Sequence, residues 1–384
     1  MEYKDIEAID SNKKTRALDR LKSRIQVGAE QQELAIRRAL SMVITDRMWN
    51  PSVMRFMVDT ENQIRVTYPT ETAKVYRIHN HALGQMASVI DVARQYVSKL
   101  KTGVRWRQEL LAHILNEHFG KEEFLTAKGK PISYLRRAVG DEVRGFQGRN
   151  FGRTLATAPL LKTFVEECGR WQAGPIEGHT TDIATMLKCA MPYIFEPVRG
   201  EFIAFGVAFA NSDFGAGKLA ISGVVLRISS GTLTVTDDAM SRVHIGKMLG
   251  NDDEADVILS DETIGKELDA HRSAVADMVK SVLAPASVDR TLKMIQAADK
   301  HGIEWHRLRT TLAKVLNKAE IDFVKQLLTN GDDLMDLPPV HRDGDECTAT
   351  AWWAANVVGW FANKEDDAER KHALQTLAGE VMVA

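Results

Sequence analysis

Between Phe202 and Ile228 the sequence alternates in a way that paired strands satisfy. Ile203, Phe205, Val207 and Phe209 share one face of an extended segment, and Ala204, Gly206 and Ala208 share the other, because successive side chains of a strand point to opposite sides. Leu219 to Ile228 forms a second run and Thr232 to Val235 a third. The first two are separated by Asn211 to Gly217 and the last two by Ser229, Ser230 and Gly231, both turn-forming clusters. An antiparallel meander follows. The small face of its first strand leaves room for a helix or another backbone to come close. Ile132 to Val139, Glu142 to Gln147 and Met186 to Met191 are weaker strand candidates.

On either side of this β-rich centre the period changes. Met86, Val89, Ile90, Ala93 and Val97 recur at helical spacing, as do Leu111, Ile114 and Leu115, so each set lays down one apolar stripe. Lys13 to Arg24 is a charged helical stretch read as a solvated face. After the acidic linker Gly250 to Asp256, helices are expected over Glu262 to Val282 and over Val288 to Asn330, the latter broken near Gly302. Trp352, Trp353, Trp360 and Phe361 point to a docked terminal helix, with a short helix after it. The expected class is α+β, a central antiparallel meander flanked by helical ends. The expected regions are a mainly helical 1–125, a β-rich 126–250 carrying a basic stretch, and a helical 251–384.

Composition excludes several functions. Fifty Lys and Arg against 52 Asp and Glu give a net charge of -2, so a nucleic-acid surface must be a local patch. Cys168, Cys189 and Cys347 lack both a disulfide framework and zinc spacing. They are expected to be unbridged, metal-free thiols of a reducing compartment. No stretch nears the roughly 20 apolar residues of a membrane helix, and Met1 to Glu7 lacks the apolar core of a signal peptide. The expectation is a cytoplasmic protein (host cytoplasm if viral) with no membrane partner.

The middle region resembles the phage- and plasmid-borne family catalogued as domain of unknown function 932. Three stretches carry the likeness. Tyr134 to Arg137 through Glu142 to Phe151 is similar to the family's Arg-Ala pair, short loop and Arg-Tyr pair. Phe205 to Val207 with Asn211 to Gly215 is similar to its Gly-Val, then Asn-Ser-acidic-x-Gly signature. Leu226 and Arg227, the turn at Ser229 to Gly231, and Arg242 to His244 stand where the family has an Arg, a Cys-x-Asn-Gly turn and an Arg-x-His. Ser229 and Ser230 replace the Cys and Asn of that turn, which removes any thiol chemistry there. The resemblance implies a viral or mobile-element origin and no particular activity.

The richest local chemistry lies between Lys128 and Arg153. Lys128, Lys130, Arg136, Arg137, Arg144, Arg149 and Arg153 face only Asp141 and Glu142 in that stretch, and Tyr134, Phe146 and Phe151 are interleaved with them. A single-strand binder needs cations along the phosphates and aromatic faces under the bases, and arginine can serve both ends. Arg227, Arg242, His244 and Lys247 extend the patch if the meander packs beside it. The competing reading is a solvated basic hairpin whose aromatics belong to the core.

Other constellations fall short. His79-Asn80-His81 puts two histidines on one side only in a strand, its central residue is polar, and Tyr96 downstream is expected to pack within an apolar stripe. His113 and His118 are five apart, the wrong offset for metal ligands on one helix face. Gly215-x-Gly217-Lys218 is too short for a phosphate loop. With no nucleophile–base pair, no enzyme activity, cofactor or metal is implied. The leading expectation is a homo-oligomeric single-stranded DNA-binding protein, serving strand annealing in recombination or replication. The rivals are a viral structural or assembly protein, and a nuclease or replication initiator.

Overall fold

The computed structural model describes residues 11–71, 74–121, 124, 132–148, 151, 155–242, 261–300, 302–330, 341–343 and 346–383. The chain is α+β, with two six-stranded sheets and helices at both ends. After the long helix α1 (Ser11–Ser41) comes the first sheet, built from β1 (Ile44–Trp49), β2 (Arg55–Val58), β3 (Ile64–Thr67), β4 (Val75–Ile78), β5 (Tyr134–Val139) and β6 (Glu142–Gly148). Its order is β1-β5-β6-β4-β3-β2. All neighbours are antiparallel except β4 and β6, which run parallel with Arg77 opposite Glu142.

Helices make up most of the described residues of 1–125, but that region also supplies strands of this sheet, which the expectation did not include. Four strands lie before residue 80, and the sheet closes only through β5 and β6, so a boundary at 125 cuts through it. The cause is length: β2, β3 and β4 have four residues each, too few to establish a period of two. Local chemistry still sets the β2–β3 hairpin. Asp59 Oδ1 accepts the backbone N–H groups of Glu61 and Gln63, and Asn62 takes the left-handed conformation at φ 56°, which asparagine tolerates better than most residues. The free edge of β2 is blocked. Asn116 donates to Phe56 O and accepts from Phe56 N, both at 2.8 Å, so a side-chain amide takes the place of a further strand.

Between β4 and β5 the chain inserts α2 (Asn80–Val89), α3 (Arg94–Lys101) and α4 (Arg105–Lys121). Leu83, Met86, Leu111, Leu115 and Phe119 pack there against Phe56, Val66, Tyr76 and Ile78 of the strands. The stripe from Met86 to Val97 is therefore shared by two helices. Asp91 breaks it at φ 54°, and Ala93 stands before the first residue of α3.

The second sheet holds β7 (Gly174–Thr180), β8 (Thr185–Ala190), β9 (Phe195–Val198), β10 (Glu201–Asn211), β11 (Leu219–Arg227) and β12 (Leu233–Arg242). The expected meander is present. Ile203 to Ala210 pairs antiparallel with Arg227 to Ala220, and Leu226 pairs with Leu233. Gly215 and Gly231 take positive φ at the two turns. Alternate residues do serve two faces. Phe205, Val207 and Phe209 join the large cluster containing Leu160 and Phe164 of α5 (Thr157–Arg170) and Val275 and Val279 of α6 (Asp261–Leu283). Ala204 and Ala208 join Ala17 and Leu21 of α1.

The C-terminal helices are α7 (Pro285–Lys300), α8 (Trp305–Leu312), α9 (Lys318–Asn330), α10 (Ala351–Lys364) and α11 (Ala368–Val383). The stretch read as one helix with a single break is interrupted twice. Near Gly302 the chain turns aside to bridge Thr350. At the second break Asn317 Oδ1 accepts Glu320 N while Glu320 Oε2 accepts Asn317 N, a capping box that starts α9. Trp352 and Trp353 are buried in the large cluster, as a docked terminal helix requires. Cys168 and Cys189 are buried free thiols, and the Cys347 side chain lies outside the described residues. No helix among the described residues is long and apolar enough to cross a membrane.

Candidate nucleic-acid interface

Among the described residues, the arginines singled out by sequence, Arg136, Arg137, Arg144 and Arg227, do not form an open groove. Arg136 on β5 is buried and reaches Glu71 at 3.3 Å, with its guanidinium 5.2 Å from the Trp49 ring centroid and 4.9 Å from that of Tyr76. Arg137 is buried against Asp46 at 2.9 Å, donates to the carbonyl of Asp213 and lies over the Phe151 ring. Arg144 is divided between Glu142 at 2.8 Å and Asp182 at 3.3 Å. Arg227 is buried on Glu201 at 2.7 Å. Each buried guanidinium has a carboxylate, because an unpaired buried charge is prohibitively costly. Phe146 is core, and Tyr134 stacks one face on it at 5.0 Å. Lys128, Lys130, Arg149, Arg153, His244 and Lys247 lie outside the described residues, as does the side chain of Arg242.

What the 134–148 hairpin does instead is join the two sheets. The carbonyl of Phe214, in the β10–β11 turn, accepts from Gln85 at 2.9 Å and from Gln147, and His81 Nε2 stands 3.0 Å away. Asp213 Oδ1 in turn accepts Thr157 N at the start of α5. His79 and His81 are structural here. His79 Nδ1 accepts His81 N at the start of α2, and burial pushes both imidazoles below their usual range.

Exposed cationic and aromatic side chains occur elsewhere, along α3 and the first turn of α4. From Arg94 to Arg107 the chain carries Arg94, Lys99, Lys101, Arg105 and Arg107 with no acidic residue. The helix α3 buries only Val97 and Leu100, and apart from the half-buried Lys101 its remaining side chains are exposed. Tyr96 is 46% exposed and Trp106 58% exposed, against the expectation that Tyr96 packs inside the stripe. The apolar requirement at this point is met by Val97 alone. Arg107 lies 5.3 Å from the Trp106 centroid, and Arg105 makes a surface pair with Glu109, of a kind weak enough for an incoming phosphate to displace. Lys101 is different in kind. It donates to Ile78 O at 2.6 Å, and burial pushes its amine down to about 8, with Glu142 pulling the other way. The signal in the sequence was the acid-free run with two aromatics, hidden by an apolar stripe that appeared to claim Tyr96.

A concavity of about 470 Å³ lies on the first sheet, where β1, β4 and β5 come together with the turn at Pro69–Glu71. Glu71 is its anchor. It accepts from Trp49 Nε1 at 3.0 Å, from Arg136, and from the Tyr76 hydroxyl, and pairs with Arg47 at 3.2 Å. Burial works to raise its carboxyl, but these donors and cations together hold it below the usual range. Among the described residues no group of three or more His, Cys, Asp or Glu is placed to hold a metal ion.

No protein-family model, no curated protein and no solved structure matches this chain. The functional argument therefore rests on these surfaces.

Proposed function

We propose that the protein binds single-stranded nucleic acid, single-stranded DNA in the first instance, across the surface formed by α3 and the start of α4. The observation that carries this reading is the pairing of two exposed aromatics, Tyr96 and Trp106, with Arg94, Lys99, Arg105 and Arg107 in a segment free of acidic residues. Cations follow the phosphates, and an exposed ring offers its face to an unstacked base, which a duplex keeps covered. The net charge of -2 fits a local patch better than general polyanion binding.

The test is the anisotropy of a labelled oligothymidylate titrated with protein across a salt series. Binding should weaken with salt, and single strands should be preferred to duplex by about tenfold, or about 1.4 kcal/mol. Trp106→Ala should cost about 1–3 kcal/mol. A protein that ignores oligonucleotides at low salt, or a Trp106→Ala variant that binds like the parent, removes the proposal.

A further inference from the structure

We propose that the concavity between β1, β4, β5 and the Pro69–Glu71 turn is a binding site for a small phosphomonoester. The proposal is independent of the nucleic-acid reading, which concerns α3 and α4. The cavity of about 470 Å³ is lined by Thr45, Arg47, Thr70, Glu71, Lys74 and Arg136, among others, and lies within the range of small-ligand sites.

Cations outnumber the carboxylates free to answer them. Arg47, Lys74 and Arg136 contribute three positive charges. Glu71 answers one, and the other carboxylate in the lining, Asp46, is taken by Arg137. Glu71 is already occupied by Trp49, Tyr76, Arg47 and Arg136. It therefore orients the two arginines and has little capacity left to hold a metal. Arg47 spends one nitrogen on Glu71 and keeps 56% of its side chain open, so the rest of its planar fork is available. Lys74 is exposed, with no carboxylate at ion-pair distance among the described residues, and the exposed Thr70 adds a hydroxyl at the rim.

A guanidinium fork and an ammonium beside a hydroxyl match the oxygens and double charge of a phosphate. The volume exceeds that of the phosphate alone, which leaves space for the esterified group. Arg136, fixed between two aromatic rings, supplies positive potential from beneath without needing to touch the ligand.

The experiment is calorimetric titration of the full chain with inorganic phosphate, AMP and adenosine. Saturable binding of phosphate and AMP is expected, AMP at least as tight as phosphate, with adenosine much weaker than AMP. Arg47→Ala and Lys74→Ala, both at exposed positions, should each weaken AMP binding by about tenfold. Lys293→Ala, on the distant helix α7, should leave it unchanged. The proposal is overturned if neither anion saturates, if AMP is excluded while phosphate binds, if adenosine binds as tightly as AMP, or if both cavity variants bind like the parent.

Discussion

Arg136 and Glu71 form an ion pair at 3.3 Å with their side chains 3% and 6% exposed, tying β5 to the turn before β4. The guanidinium is also held between Trp49 and Tyr76. Without Arg136, the buried Glu71 carboxylate keeps Arg47 as its one cation, and the space of a large buried side chain is left empty. Arg136→Ala should therefore cost about 3–5 kcal/mol of unfolding free energy, measured by urea denaturation. A variant losing less than about 1 kcal/mol would contradict the burial of this pair.

The same burial separates two sets of arginines in binding. Each neutralised phosphate on a single strand adds roughly -0.7 to the slope of log affinity against log salt. Replacing Arg105 and Arg107 together by Ala should flatten that slope by about 1.4 and weaken binding to every sequence. Tyr96→Ala should weaken binding while leaving the slope nearly unchanged, since a ring neutralises no phosphate. Arg227→Met, at a buried pair on the second sheet, should leave both quantities unchanged in any preparation that remains folded. If Arg227 proved to set the slope and Arg105 and Arg107 did not, the interface would lie on the wrong sheet.

The meander was legible because β10 and β11 have 11 and 9 residues, long enough for a period of two to stand out. Of the first sheet, β5 and β6 were legible as the candidates Ile132 to Val139 and Glu142 to Gln147, whereas β2, β3 and β4 bury only one or two residues each. The basic stretch misled for a different reason. Within 128–153 only Asp141 and Glu142 are acidic, so the arginines looked unanswered. Of the partners of the described arginines there, Asp46, Glu71 and Asp182 are distant in sequence and are brought in only by strand pairing and the junction of the two sheets. The surface at α3–α4 could have been found, since its charge needs no tertiary partner. Tyr96 stands next to Val97, and of the two only Val97 belongs to the buried stripe.

The histidines give the fold an acid-sensitive edge. His79, His81 and His179 are all pushed below their ordinary value of 6.5, in each case chiefly by burial. Between that value and the folded ones, the unfolded chain takes up protons that the folded chain refuses, so stability rises with pH there. It is fully present above about pH 6.5 and is lost as the pH falls through the folded values. The urea midpoint should drop between about pH 7.5 and pH 5. His81→Gln should flatten part of that drop, since His81 contacts Gln85 and the Phe214 carbonyl at the junction of the sheets. A midpoint constant over this window would mean that these imidazoles are open to water.

Two glycines in helices should respond to alanine with opposite signs. On Gly379 of α11 a Cβ would stand 1.9 Å from the carbonyl oxygen of Val235 and 2.9 Å from its carbon. These are backbone atoms of β12, which the sheet fixes in place, so the helix must move away. Gly379→Ala should therefore cost about 1–3 kcal/mol by overpacking, and should disturb the neighbouring contact of Gln375 with Lys188. On Gly265 of α6 a Cβ meets nothing within 4 Å. There the change only narrows the conformations open to the unfolded chain, and Gly265→Ala should stabilise by up to about 1 kcal/mol. Denaturant midpoints of the two variants beside the parent check both signs. Loss at position 265 together with neutrality at 379 would place α11 further from β12 than the packing described here.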